Sequence, residues 1–197
     1  MNEIGVAVEG PSDLVFWERV LSRQFAGRNC LFRVRSLGGR DRLIREAPNL
    51  AEDYRSAHYH SAFFILDADK SPCPSDVLSL FNDDFRKEVT RPTPHDRFAH
   101  VCIAFRELES WVLADVACIR NLLACQDYAA PLLDAAPSGK AGLLRLCKKH
   151  QSAAAGMEDR EFARRAAGWF NPGVAGQHSS SFARFWQRIS DRVAQCS

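Results

Sequence analysis

The sequence predicts an α/β fold: a mostly parallel sheet with helices on both faces. Three observations carry this. Short apolar runs of buried-strand length alternate with helically spaced apolar residues through the first two-thirds of the chain. Two of the runs stop abruptly at carboxylates, in Ile4-Gly5-Val6-Ala7-Val8-Glu9-Gly10 and Phe63-Phe64-Ile65-Leu66-Asp67-Ala68-Asp69. In an open α/β sheet the carboxyl ends of strands are where ligands bind, and carboxylates gathered there repel one another unless a cation neutralises them.

Taken in order, residues 3–8 read as the first strand. Pro11-Ser12-Asp13 opens a helix, with Ser12 or Asp13 as cap and Leu14, Phe16, Trp17, Val20, Leu21 and Phe25 as its apolar side. Residues 30–36 alternate apolar and basic, as in a less buried strand. Gly38-Gly39 breaks the chain before a helix running to about residue 57. Residues 61–67 form the third strand. The loop Ser71-Pro72-Cys73-Pro74 leads to a helix over about 75–89. Residues 98–105 make a fourth strand, and a helix begins near Glu107. The strands alternate with helices, so parallel pairing with crossover connections follows.

After about residue 127 no strong strand is visible. Helices are expected at 139–150, 158–169 and 181–195. Residues 1–127 are therefore read as an α/β catalytic domain and 128–197 as a helical extension packed on it. There is no internal repeat or low-complexity tract.

The 197 residues suffice for one sizeable domain, and 46% hydrophobic content supports a real core. No apolar stretch approaches the roughly 20 residues needed to cross a bilayer. Met1-Asn2-Glu3 lacks the basic start of a signal peptide, so a cytoplasmic protein is expected. A net charge of +2 gives no global pull toward nucleic acid. The seven cysteines form no CxxC or Cys/His cluster, and read as small buried hydrophobes.

Asp67 and Asp69, two apart on extended backbone, point their side chains the same way. With Glu9 they could hold one or two Mg²⁺ ions, which prefer carboxylate oxygen and water. A single strand-end Asp would instead serve as a cap or turn former. Arg28, Arg33, Arg35, Arg40, Arg42 and Arg45 make either a nucleic-acid track or a solvated face. Arg160, Arg164 and Arg165 lie at helical spacing and offer a partner surface. The six histidines show no ligand spacing beyond His58-Tyr59-His60, read as structural. His178 beside Ser179-Ser180-Ser181 suggests a hydrolase pair only superficially. The tryptophans Trp17, Trp111, Trp169 and Trp186 fit helix packing better than base stacking.

Val8-Glu9-Gly10-Pro11-Ser12-Asp13 followed by Leu66-Asp67-Ala68-Asp69 resembles the Toprim domain of topoisomerases, bacterial primases and OLD-family nucleases. Within that group the chain is similar to small bacterial Toprim-like proteins often encoded beside an ATPase. Three further segments carry this likeness: Glu109-Ser110-Trp111-Val112-Leu113-Ala114-Asp115, Pro137-Ser138-Gly139-Lys140-Ala141 and Ser179-Ser180-Ser181-Phe182-Ala183-Arg184-Phe185. The resemblance implies a Toprim-like (Rossmann-like) fold and a Mg²⁺-dependent phosphodiester site, with Mn²⁺ as a possible substitute. Glu9 would be metal ligand or general base, Asp67 and Asp69 metal ligands, and Glu109 the fourth carboxylate. Glu107 competes with Glu109, and either residue could instead serve the helix N-terminal dipole.

Two metals can activate water and stabilise the leaving group of a phosphodiester. Lys140, opening a helix with Ser138-Gly139, is the expected phosphate contact, unless it is a solvated surface lysine. Lys70 is a second candidate. The expected function is thus a Mg²⁺-dependent nuclease acting on DNA or RNA, the Toprim subunit of an OLD-like, ATPase-coupled system of defence against phage. The alternative is a catalytically degenerate module that binds nucleic acid or an ATPase partner. Expected partners are nucleic acid, an ATPase and a second copy of the chain, with no membrane. Receiver domains and haloacid-dehalogenase-type phosphatases place their acids differently between the first and third strands.

Overall fold

The computed structural model describes residues 1–68, 71, 73–93, 97–104, 107–130, 139–150 and 152–196. Four strands, β1 (Asn2–Val8), β2 (Cys30–Ser36), β3 (Ser61–Asp67) and β4 (Ala99–Ala104), pair in parallel in the order β2-β1-β3-β4. The chain moves from β1 outward to β2, then crosses back to β3 and on to β4. The order therefore reverses between β1 and β3, and an open α/β sheet leaves a crevice at such a point.

The side-chain alternation of the strands sorts the core into two layers. Ile4, Val6 and Val8 of β1 and Phe63 and Ile65 of β3 face one side. There they meet α1 (Pro11–Gln24), α5 (Leu108–Ala114), α6 (Val116–Leu123), α8 (Asp159–Trp169), α9 (Pro172–His178) and α10 (Ser180–Ala194). Ala7, Ala62, Phe64 and Leu66 face the other side and meet α2 (Arg40–Ser56), α3 (Pro74–Leu78) and α4 (Asp83–Val89). On that second side Gly5 is required: a Cβ there would stand 2.5 Å from the ring of Tyr54. One continuous core joins the first strands to the last helix, because Trp17, Trp111, Phe182 and Phe185 pack edge-on and stacked in the same layer.

Most expected elements stand within a residue or two of their expected bounds. Three local differences have physical causes. The cap of α1 is Gly10 rather than Ser12 or Asp13, because Pro11 takes the first helical position, where a missing N–H costs nothing. Asp13, at the third position, accepts the Gly10 N–H at 2.8 Å. The single helix expected over 75–89 is two, because Asn82 Oδ1 accepts the Phe85 N–H at 2.9 Å and starts α4 afresh.

Third, α6, the 3₁₀ turn Ala153–Gly156 and α9 stand where no element is expected. The end of α5 and the starts of α6 and α9 depend on Asp115, which is fully buried. Its Oδ1 accepts the Cys118 N–H at 3.0 Å, and its Oδ2 accepts the N–H of Asn171. One carboxylate thus caps α6 and anchors the entry to α9. α7 runs Gly139–Lys149 and, with α8 and α10, matches the three helices expected beyond residue 127.

Five of the seven cysteines are buried and none is in a disulfide. No helix among the described residues is long and apolar enough to cross a membrane.

Candidate functional site

β1 and β3 deliver Glu9 and Asp67 to the two sides of the crevice where the strand order reverses. The Glu9 side chain spans it: Oε1 accepts the backbone N–H of Asp67 at 2.8 Å. The Glu9 carbonyl oxygen meanwhile accepts the N–H groups of Gly38 and Gly39 at 2.9 and 2.8 Å, and the Ser36 hydroxyl at 3.2 Å. Gly38 and Gly39 hold φ of 81° and 134°, the region that glycine enters without strain. Gly38-Gly39 therefore serves to tie the β2–α2 turn to Glu9.

Beside this crevice lies a cleft of about 380 Å³ under the starts of α1, α5 and α7. Asp13, Asp67, Glu109 and Lys140 line it, over an apolar floor that includes Phe16, Val112 and Leu143. Burial pushes the carboxyl groups of Glu109 and Asp13 above the ordinary range. For Glu109 the negative charges of Glu107 and Asp13 add to the rise, while Lys140 opposes it. Lys140 Nζ reaches Asp159 Oδ2 at 3.2 Å, and this hydrogen bond, ahead of the other carboxylates, holds the ammonium above its usual range.

Of the expected site residues, the structure brings Asp67, Glu109 and Lys140 to one cleft, with Glu9 bonded to the backbone of Asp67. Asp69, Lys70 and Ser138 lie outside the described residues. Glu107 and Glu109 separate by role. Glu107 is the N-cap residue of α5, and its Oε2 accepts the N–H of Lys140 at 2.7 Å, so it braces the start of α7. Glu109, two residues on in the first turn of α5, faces the cleft. Asp13 is the residue that sequence reasoning passed over as a cap. Its position four residues after Glu9, one turn into a helix that starts at the strand end, was the available signal.

The three later segments converge behind Glu109. A Cβ on Gly139 would stand 2.4 Å from the Ser110 nitrogen, so only glycine lets α7 meet α5 this closely. Trp111 Nε1 donates to Ser181 Oγ at 2.8 Å, and its ring stacks on Phe185 with centroids 5.3 Å apart. Segments far apart in sequence thus hold one short helix.

Elsewhere the expectations part. The arginines near β2 are partly neutralised: Arg33 pairs with Glu3 at 2.8 Å and Arg42 with Glu46 at 2.7 Å. His178 bonds the Val174 carbonyl of its own helix, while Ser179 caps α10, so no hydrolase pair forms. Trp17 and Trp111 are fully buried and Trp186 packs on Phe25 and Phe182, but Trp169 is 57% exposed and does not fit the packing role expected of it.

Among the described residues no three His, Cys, Asp or Glu side chains already converge on one metal-holding point. The polar donors of the cleft are nevertheless mostly carboxylate oxygens, the hard ligands that suit Mg²⁺. Glu109, desolvated and facing like charges, is the kind of group whose ionised form a divalent cation would stabilise.

Two solved structures share this architecture. The C-terminal region of the Xanthomonas campestris pv. campestris OLD protein superposes with a TM-score of 0.50 at 12% identity, over 98% of this chain and 95% of that one. The C-terminal region of the Burkholderia pseudomallei OLD protein gives 0.52 at 14% identity, over 98% and 99%. This chain has the Toprim-like fold of the OLD C-terminal region. At such identities the likeness is one of fold. No family model and no curated protein matches the sequence.

Proposed function

We propose that the cleft hydrolyses phosphodiester bonds of nucleic acid with the help of Mg²⁺ or Mn²⁺. The observation that carries this is the meeting of Asp13, Asp67, Glu109 and Lys140 at the strand-order reversal of an OLD-like fold. Asp67, Asp69, Glu9, Glu109 and Asp13 would hold the metal. When bound, the metal would lower the pKa of water and offset charge on the leaving oxygen.

The residues of the chain do the remaining work. Lys140 places a positive charge at the mouth of the cleft, where it can exchange its exposed partner Asp159 for a substrate phosphate. The apolar floor under Glu109 excludes water from one side of the site and strengthens each electrostatic contact within it. Glu9 holds the Asp67 backbone in place across the crevice.

The test is incubation of the purified protein with plasmid and with single-stranded DNA and RNA, in Mg²⁺ or Mn²⁺. Cleavage is expected in wild type and lost in Asp67→Ala and Glu9→Ala. Cleavage that survives both substitutions would overturn the assignment. We also propose that the chain acts beside an ATPase partner in defence against mobile DNA, as its motif resemblance implies. Co-purification of an ATPase encoded next to it is the expected result.

A further inference from the structure

α8 carries a second concave surface that the proposed cleavage site does not use. Its first half, with Asp159, Phe162 and Ala163, lines the carboxylate cleft. Its second half, with Arg164, Arg165, Gly168 and Trp169, joins Arg19 of α1 around a separate groove of about 360 Å³. From Asp159 to Trp169 the helix rises by about 15 Å, so the two surfaces lie within reach of one short strand.

The groove combines two features. Trp169 has 57% of its surface exposed, in contrast to the buried Trp17 and Trp111. Gly168 beside it adds no side chain, and the space where its Cβ would stand is open, so a flat group can approach the indole. Arg19, Arg164 and Arg165 surround it with positive charge. Arg164 and Arg165 share the one carboxylate Glu161 in exposed pairs, at 2.7 and 2.8 Å. Such pairs are weak in water and yield readily to phosphate. The platform is also held firmly: Arg23 donates to the Ala167 carbonyl at 2.6 Å, and to those of Gly168 and Phe170, which fixes the end of α8.

An exposed aromatic ring within a ring of arginines is the arrangement by which proteins hold unpaired bases and their phosphates. We propose that this groove binds single-stranded nucleic acid, with Trp169 stacking on a base and Arg19, Arg164 and Arg165 holding the backbone. The inference deepens the nuclease reading and rests on it for the role of the cleft. It names single strands as the ligand and α8 as the element that links binding to cutting.

The test is binding of a fluorescein-labelled oligothymidylate to the full chain, read by anisotropy in chelator so that no cleavage occurs. Trp169→Ala is expected to weaken binding about ten-fold, and Trp169→Phe to restore most of it. Arg164→Ala with Arg165→Ala should reduce the slope of log K against log salt by about 1.4. A labelled duplex, whose bases are already stacked, should respond to the arginine changes and not to Trp169→Ala. Equal affinity of Trp169→Ala and wild type for the single strand would overturn the proposal, as would displacement of the oligonucleotide by polyglutamate with no dependence on Trp169. Cleavage in Mg²⁺ with binding indifferent to Trp169 would sink this groove and leave the nuclease reading. Trp169-dependent binding with no cleavage would do the reverse.

Discussion

The Glu9 carboxylate accepts the backbone N–H of Asp67 at 2.8 Å, across the point where the strand order reverses. Glu9 is therefore a brace as well as a candidate ligand, and the two roles separate by substitution. Glu9→Gln keeps an oxygen acceptor and should melt close to wild type while losing cleavage. Glu9→Ala leaves the Asp67 amide without this partner and should cost about 1–3 kcal/mol in addition. Denaturant melts beside cleavage assays distinguish the pair.

Glu109 gives a pH prediction whose sign follows from its raised carboxyl pKa. The folded state holds the proton more tightly than the unfolded state. Stability from this group is therefore present below the unfolded pKa and is lost as pH rises through the folded one. At neutral pH, without metal, the ionised and desolvated carboxylate destabilises the fold. Glu109→Gln should then raise the melting temperature in chelator at pH 7, with the difference fading toward pH 4. Added Mg²⁺ should stabilise wild type more than the variant. A variant that melts lower than wild type in chelator would contradict the desolvated carboxylate.

Lys140 is tied to its surroundings mainly by an exposed pair with Asp159. Removing such a pair costs roughly 0–1 kcal/mol. Lys140→Ala should therefore leave the melting temperature nearly unchanged while lowering the cleavage rate by about 10²-fold, the usual effect of removing one donor to transition-state charge. A parallel loss of stability and activity would assign Lys140 to structure instead.

Gly139 meets the backbone of Ser110, which cannot swing away as a side chain could. Gly139→Ala should force α7 off α5 at a cost of about 1–3 kcal/mol. Because α7 presents Lys140 and the segment it meets presents Glu109, cleavage should fall together with the melting temperature. Calorimetry and single-turnover cleavage on the same preparation check this.

Local pattern was enough to read most of the molecule. Apolar runs marked β1, β3 and β4, because a strand buried on both faces must be apolar throughout, while alternation of apolar and basic residues marked the less buried edge strand β2. The Glu9 and Asp67 positions were legible for the same reason: a carboxylate that ends such a run must leave the core. Helix starts were read to within a few residues from Pro11, Gly39 and Gly139. What escaped was whatever depends on a distant partner. Asp115 shows no role of its own in the sequence, yet it caps α6 and anchors the entry to α9, because Asn171 brings its N–H from 56 positions away. Asp13 and Glu109 share a cleft because α1 and α5 lie on the same face of the sheet and start beside each other, and Glu107 was parted from Glu109 by the Lys140 amide.

Sequence alone thus determined the α/β class, the strand-end acids and the helix-rich end, since these follow from residue spacing and burial along one segment. Tertiary structure decided the strand order, the membership of the cleft and the exposure of Trp169. Those depend on which segments meet in space, and no local period records that.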